Sequence, residues 1–338
     1  MTTTKEDSVE MHPIPPPPSP TKYKLTSPRG AQLATRLWTP PSSSSTGKKK
    51  AKALLLIVHG GGWHSGYFDG LAKYLCKDAQ FICAAYDQTC CGYSELEPTA
   101  PRGIPGIMHV HSFDDLLEDL FAAITWAQKE AMDITGSDSS LPLYLFGESF
   151  GGLQVLAAAY TADHHHDVDI KGVIASGAVL KIAKGLLPPW PVPDILAFLA
   201  PYYPRLVMPA TDFETTFDGA FGDPAWAKTA RKDPKVTINI RPTLASAVAT
   251  LTTGQTIAAR AHAFPVPLLA LHGIHDSRVE YEAVQEFVDK VGPTKATMIK
   301  VDTTGHQLFQ DKPNVIQDLQ KRIADWLKKQ MEMNEKKT

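Results

Sequence analysis

The sequence predicts a doubly wound, mostly parallel α/β sheet with an inserted helical lid. Two observations carry that reading. Short apolar runs recur from residue 53 onward with helical stretches between them, and one proline-rich gap at 180–263 breaks the rhythm. Apolar runs bounded by glycine and lacking polar alternation mark strands covered by helices on both faces.

Taken in order, residues 1–20 are low-complexity Thr and Pro and read as a disordered, polyproline-like tail. A hairpin follows, with strands at 23–25 and 33–38 around the turn residues Ser27, Pro28, Arg29 and Gly30. PPSSSSTGKKKAK at 40–52 reads as a charged, solvated connection. The core, at 21–179 and 264–330, then alternates. ALLLIVHG leads into a helix at 67–77, and FICAAYD into an amphipathic helix from 113 to about 130. LPLYLFG precedes a helix at 153–160, IKGVIASG closes the first part, and VPLLALHG opens the second. A helix at 279–291, a strand at 298–301 and a last helix through Val315, Ile316, Leu319, Ile323 and Trp326 complete it, with 331–338 as a charged tail. The prolines of LLPPWPVPDILAFLAPYYPRL cut the gap into short helices, and an excursion there sits over the carboxyl edge where open α/β sheets bind ligands.

Composition narrows the function. The 338 residues are 43% hydrophobic and 21% charged, values of a globular chain, and a net charge of -2 speaks against nucleic acid as a partner. No apolar run approaches the ~20 residues of a membrane span, and the acidic, proline-broken start lacks a signal peptide's apolar stretch. The expectation is a cytoplasmic protein, touching membranes at most peripherally through the lid. Cys76, Cys83, Cys90 and Cys91 crowd one segment with neither disulfide-framework nor zinc spacing, and read as buried reduced thiols.

The chemistry is concentrated in a few motifs. GESFG at 147–151 is G-x-S-x-G, lying between an apolar strand and a helix, as a strained strand-to-helix turn presenting Ser149 requires. A serine hydroxyl needs a base to take its proton and an acid to orient the base. Asp276 and His306 follow in that order, each just past a predicted strand, with Asp302 as a competitor for the acid. Read singly, Asp276 is equally a helix N-cap and His306 a loop histidine; the elbow makes them a triad. HGGGWHSG at 59–66 ends the strand ALLLIV, and its glycines let backbone N–H groups approach a developing oxyanion, with Gly61 and Phe150 as the donors.

These residues resemble the α/β-hydrolase superfamily, most closely its monoacylglycerol lipase, lysophospholipase and plant caffeoylshikimate esterase branch. The resemblance rests on HGGGWHSGYFDGLA, GESFGG, LHGIHDSRV, TTGHQL and the DP-containing segment 233–235, and it spans about 25–327. It implies Ser149 as nucleophile, Asp276 and His306 as its partners, and a lid shaping an apolar acyl or aryl pocket. One departure stands out: where such proteins carry D-x-x-G-x-G-x-S, this chain reads DQTCCGYS at 87–94, with Cys90 for the first glycine.

The function expected is a serine hydrolase of lipid or aromatic acyl esters, its substrate an acylglycerol, lysophospholipid or hydroxycinnamoyl ester, with no metal or organic cofactor. Trp190, Phe198, Tyr202 and Tyr203 are either lid core or substrate contacts. The alternatives are a small-molecule receptor on the same fold, which needs neither elbow nor oxyanion turn, and a haloperoxidase or lyase activity. His164, His165 and His166, flanked by Asp163 and Asp167, read as a surface turn, and His109 and His111 as loop residues rather than a metal pair.

Overall fold

The apolar runs pair into one sheet. The computed structural model describes residues 10–19, 24–41, 50–162, 168–209 and 217–336. Its strands are β1 (Lys24–Thr26), β2 (Gln32–Trp38), β3 (Ala53–Val58), β4 (Phe81–Tyr86), β5 (Ile107–Met108), β6 (Leu143–Glu148), β7 (Ile170–Ser176), β8 (Arg241–Pro242), β9 (Leu268–Gly273) and β10 (Ala296–Val301). Eight of them form the order β1-β2-β4-β3-β6-β7-β9-β10, and β5 pairs with β8 apart from it. β1 and β2 make the expected hairpin, and β2 meets β4 antiparallel. From β4 to β10 every pairing is parallel.

Side chains of a strand alternate between faces. Leu54, Leu56 and Val58 of β3 therefore enter one core, and Ala53, Leu55 and Ile57 the other. The helices are α1 (Asp69–Asp78), α2 (Phe113–Thr135), α3 (Phe150–Thr161), α4 (Val192–Leu199), α5 (Pro224–Lys232), α6 (Leu244–Ala259), α7 (Tyr281–Val291) and α8 (Pro313–Glu335). α2, α3 and α7 cover the first face, joined by Ile257 of α6, while α1 and α8 cover the second. α2 begins where Ser112 and Asp115 cap each other's backbone N–H groups and ends at Gly136, whose φ is 66°.

The chain runs from β3 outward to β4, then returns to place β6 on the opposite side of β3. That reversal is a topological switch point, where diverging connections open a crevice at the carboxyl ends of the two strands. The segment HGGGWHSG leaves β3 there, and Ser149 leaves β6 beside it.

Between β7 and β9 lies the insertion, carrying α4, α5, β8 and α6. A third cluster, built on Trp63, Tyr67, Phe217 and Phe221, seats it on the turn after β3. Residues 10–19, read from sequence as part of a disordered tail, instead lie against this region. His12 stacks on Trp226 at 4.1 Å and meets Asp223 at 3.0 Å, Arg36 donates to the Pro16 carbonyl at 2.7 Å, and Pro15 is buried. Trp226 and the cap of α5 offer this segment a stacking face and a carboxylate, which a composition rule cannot register. At the other end, α8 continues through Glu335 into the expected charged tail, because Gln330 is buried and Asn334 reaches the Tyr144 hydroxyl at 3.3 Å. The histidine run 164–166 and most of the loop at 40–52 lie outside the described residues.

Candidate active site

Ser149 joins β6 to α3 with φ 54° and ψ −115°. A non-glycine residue rarely adopts a positive φ, and the strain is sustained by what surrounds it. Its N–H donates to Ser176 O at 2.8 Å, and its carbonyl accepts from Leu153 and Val179. The turn is so tight that a Cβ on Gly147 would collide with the Gly151 carbonyl, and one on Gly151 with the Val58 carbonyl. Only glycine fits either position.

His306 brings the two expected partners together. Its Nε2 lies 2.8 Å from Ser149 Oγ, and its Nδ1 lies 2.6 Å from Asp276 Oδ2. A carboxylate only accepts, so Nδ1 carries the proton and Nε2 is left to accept from the hydroxyl. The other oxygen of Asp276 accepts from the backbone N–H groups of Arg278 at 2.8 Å and Val279 at 3.2 Å. Burial favours the protonated acid, but His306 and His272 outweigh it and hold the Asp276 carboxyl well below the usual range. The second histidine went unnoticed in the sequence: His272, fully buried on β9, places Nε2 at 3.3 Å from Asp276 Oδ2. Asp302, the competing acid, points away, its side chain 88% exposed and 3.3 Å from His275.

The turn after β3 is held from below. His59 Nδ1 donates to the Gly60 carbonyl at 2.7 Å, and its Nε2 accepts from the Gln88 N–H at 2.9 Å. Burial pushes the His59 pKa down to about 4, so the ring stays neutral in this tautomer. Gln154 donates to Gln88 Oε1 at 2.6 Å, and Gln88 Nε2 bonds the His59 carbonyl. A Cβ on Gly61 would lie 3.8 Å from that of Phe150, so the two expected donor residues face one another. Phe150 opens α3, where helix geometry leaves its N–H without an intrahelical partner. The Gly61 N–H has no partner among the described residues.

His64 and Asp233 link this turn to the insertion. His64 Nδ1 accepts from Gly66, so Nε2 is the nitrogen that donates to Asp233 Oδ2, at 2.9 Å. Burial would raise the Asp233 carboxyl, yet hydrogen bonds from His64, Lys235 and Tyr67 pull it below its ordinary value. The Cys90 departure also has a geometry: Cys90 takes φ 66°, a left-handed conformation in which glycine would sit without strain. Asp87, at the start of that stretch, accepts from Ser65 N at 2.8 Å and Tyr93 N at 3.0 Å. His109, set beside His111 as a loop residue, is buried with its ring bonded to Thr243 at 2.9 Å and Thr99 at 3.1 Å.

Ser149, Phe150, Gly61 and His306 open into a chamber of about 930 Å³. Its walls are mainly aliphatic, with Arg278 the one Lys or Arg among its described lining residues. The exposed aromatics of the insertion do not line it. Trp190, Phe198, Tyr202 and Tyr203 are 60–82% exposed, while Val192, Pro193 and Leu196 turn the inner face of α4 to the chamber. α4 spans only Val192–Leu199, so Trp190 and both tyrosines fall on flanking turns, and Phe198 falls on the helix's outer side. Beneath Ser149, Glu148 is fully buried and neither carboxyl oxygen finds a hydrogen-bond partner among the described residues. Burial alone pushes its pKa up to about 8.

The sequence model of the serine aminopeptidase, S33, family matches residues 49–313. The chain belongs to this family. It is similar to a putative monoglyceride lipase of Schizosaccharomyces pombe, 26% identical over 195 residues, 57% of this chain. That match spans half of the relative's own length. Among solved structures, a soluble variant of monoglyceride lipase from Saccharomyces cerevisiae, in complex with a substrate analog, superposes with a TM-score of 0.72 at 19% identity, covering 95% of this chain and 99% of that one. A highly thermostable carboxyl esterase from Bacillus coagulans gives 0.68 at 18% identity over 91% of this chain and 98% of its own. Both share this member's mostly parallel sheet with flanking helices, the α/β-hydrolase fold. No described helix is long and apolar enough to cross a membrane.

Proposed function

We propose that the chain is a serine hydrolase that cleaves carboxylic esters of apolar acids through an acyl-enzyme. The observation that carries this reading is the continuous line from Asp276 through His306 to Ser149, at 2.6 and 2.8 Å, at the foot of an apolar chamber. Ser149 Oγ attacks the ester carbonyl as His306 Nε2 takes its proton, and Asp276 steadies the imidazolium. The oxyanion is met by the N–H groups of Gly61 and Phe150. The C–O bond then breaks, and His306 returns the proton to the departing alcohol. Water repeats the sequence on the acyl-enzyme, giving up its proton through His306 and releasing the acid and Ser149.

The walls favour an ester over a peptide N-terminus. Among the described lining residues none is Asp or Glu, so an α-ammonium group would meet no counter-charge there. An acyl chain, by contrast, gains about 0.8 kcal/mol for each buried methylene. Monoacylglycerols, lysophospholipids and hydroxycinnamoyl esters are the candidate substrates, and the similarity to proteins named monoglyceride lipase supports the first. The insertion at 180–263 acts as the lid, and the outward Trp190, Phe198, Tyr202 and Tyr203 support peripheral contact with a lipid surface.

A fluorophosphonate probe tests the mechanism: it should label Ser149 alone and fail on Ser149→Ala. Kinetics on an acyl-length series test the substrate, with kcat/KM rising several-fold per carbon until the chamber fills. Folded protein that takes no label would sink the hydrolase, and an optimum at acetate would sink the lipid-like substrate.

A further inference from the structure

Gln307 follows His306 and lines the chamber with Trp63 and Ser149. Its backbone is pinned, its N–H donating to Ala220 O at 2.9 Å and its carbonyl accepting from Gln310 N at 3.0 Å. Its side-chain Oε1 accepts from Trp63 Nε1 at 2.9 Å. An indole N–H can only donate, so the amide oxygen must face Trp63 and the amide nitrogen must face elsewhere. Trp63 does not give way. It is 3% exposed, stacks on Tyr67 at 4.4 Å and 8°, and leans on Phe221 at 6.0 Å.

Two N–H protons on Gln307 Nε2 are thereby left over. No acceptor among the described residues engages them, and the nitrogen is not sealed inside the protein. Its neighbour His306 is the group that protonates the departing oxygen, so the alcohol half of an ester lies on this side of the reacting carbon. A donor open to the chamber beside His306, once substrate displaces water, needs an oxygen beyond the ester oxygen itself.

We propose that Gln307 is a specificity-determining residue, oriented by Trp63 to donate from Nε2 to a hydroxyl of the leaving alcohol, so that the site selects polyol esters over esters of plain alkanols. The proposal rests on the ester-hydrolase reading above and deepens it. A plain alkanol leaves the donor unpaired in a desolvated site, and sites built to bond a hydroxyl reject analogues that lack one more strongly than apolar pockets reject a methylene.

The test is the ratio of kcat/KM for glyceryl monodecanoate to that for n-propyl decanoate, measured on the full chain in the same detergent. These esters share an acid and a three-carbon alcohol and differ in the hydroxyls. The wild type should prefer the glyceryl ester, and Gln307→Leu should lower the ratio about ten-fold, the cost of one missing hydrogen bond in a desolvated site. Gln307→Glu keeps an acceptor for Trp63 but replaces the donor, and should lower the ratio as well. Trp63→Phe frees the amide to turn and should lower it less. Fluorophosphonate labelling of Ser149 identifies variants that remain folded. A ratio unchanged in Gln307→Leu or Gln307→Glu, with both esters turned over, would overturn the assignment and leave the hydrolase standing. Wild-type protein inert toward both esters would overturn the two together.

Discussion

The floor of the chamber and its roof are built on different terms. The floor is made at the ends of β3, β6, β9 and β10, where His306 meets Asp276 and Ser149 at 2.6 and 2.8 Å and His59 bonds the backbone of Gly60 and Gln88 at 2.7 and 2.9 Å. The roof is α4, in which no residue is buried and whose outer side shows Phe198 70% exposed. The floor is positioned by the strand ends of the sheet, and on the proposed reading its residues set the chemistry for any ester. The roof contributes surface, which on the same reading governs what reaches that chemistry. Substitutions in the two regions should therefore fail in different ways.

The largest effects belong to the floor. Ser149→Ala should cost on the order of 10⁶-fold in kcat, as removal of a triad nucleophile does elsewhere. Asp276→Asn should cost about 10⁴-fold by leaving the imidazole in the wrong tautomer, whereas Asp302→Asn, at an exposed position, should stay near wild type. Single-turnover rates on a dissolved ester measure both. A reversed order in folded variants would mean that the floor is not the region that sets the chemistry.

Glu148 tests the floor through stability. Its folded pKa is raised to about 8 from the ordinary 4.5. The folded state thus holds this proton where the unfolded chain has released it. Its contribution is fully present below about 4.5 and is lost as the pH climbs through about 8, at up to ~1.4 kcal/mol per unit. Glu148→Gln carries no proton to lose, so relative to wild type it should gain on the order of a few kcal/mol between pH 5 and pH 8.5. Urea midpoints at the two pH values check this, and an equal gap at both would show that the carboxyl is not titrating in place.

How far the sequence reveals each region follows from what fixes it. Gly147, Ser149 and Gly151 are legible because a local backbone collision demands them, and Asp276 and His306 because chemistry demands their types after strands. Other parts of the floor are contacts between distant segments. Trp63 and Gln307 are 244 positions apart, and nothing in either neighbourhood announces the other. His272 was hidden in an apolar run, and Glu148 in a motif position open to any residue. The roof was legible as proline-broken and apolar, but which side of α4 faces inward depends on what packs beneath it. Hence the sequence leaves these aromatics open between lid core and substrate contacts and does not show that they face outward.

The roof variants divide along that same line. Trp190→Ser with Phe198→Ser removes side chains that are 82% and 70% exposed, so stability should move by no more than ~0.5 kcal/mol. Hydrolysis of a dissolved short ester should hold, while hydrolysis of monoacylglycerol in vesicles should fall several-fold. Leu196→Ala, on the chamber side, should do the opposite, flattening the acyl-length profile without affecting vesicle binding. If the outer pair changed chain-length preference, the two sides of α4 would not be functionally distinct.

The smallest effect lies in the loop that supports the floor. Cys90 holds φ 66° while its N–H donates to Glu95 O at 3.0 Å and its sulfur approaches His109 O at 3.7 Å. A side chain in this conformation costs roughly 1 kcal/mol, which Cys90→Gly would relieve. Glycine in turn loses roughly 0.5–1 kcal/mol of chain entropy on folding and gives up the sulfur contact. The opposing contributions nearly cancel, so Cys90→Gly should shift stability by less than about 1 kcal/mol. Cys90→Ala keeps the strain, loses the sulfur and should be the less stable of the two. Chemical denaturation of both variants decides it: if alanine proved the more stable, the strain of the left-handed backbone at this position would be smaller than the chain entropy that glycine loses on folding.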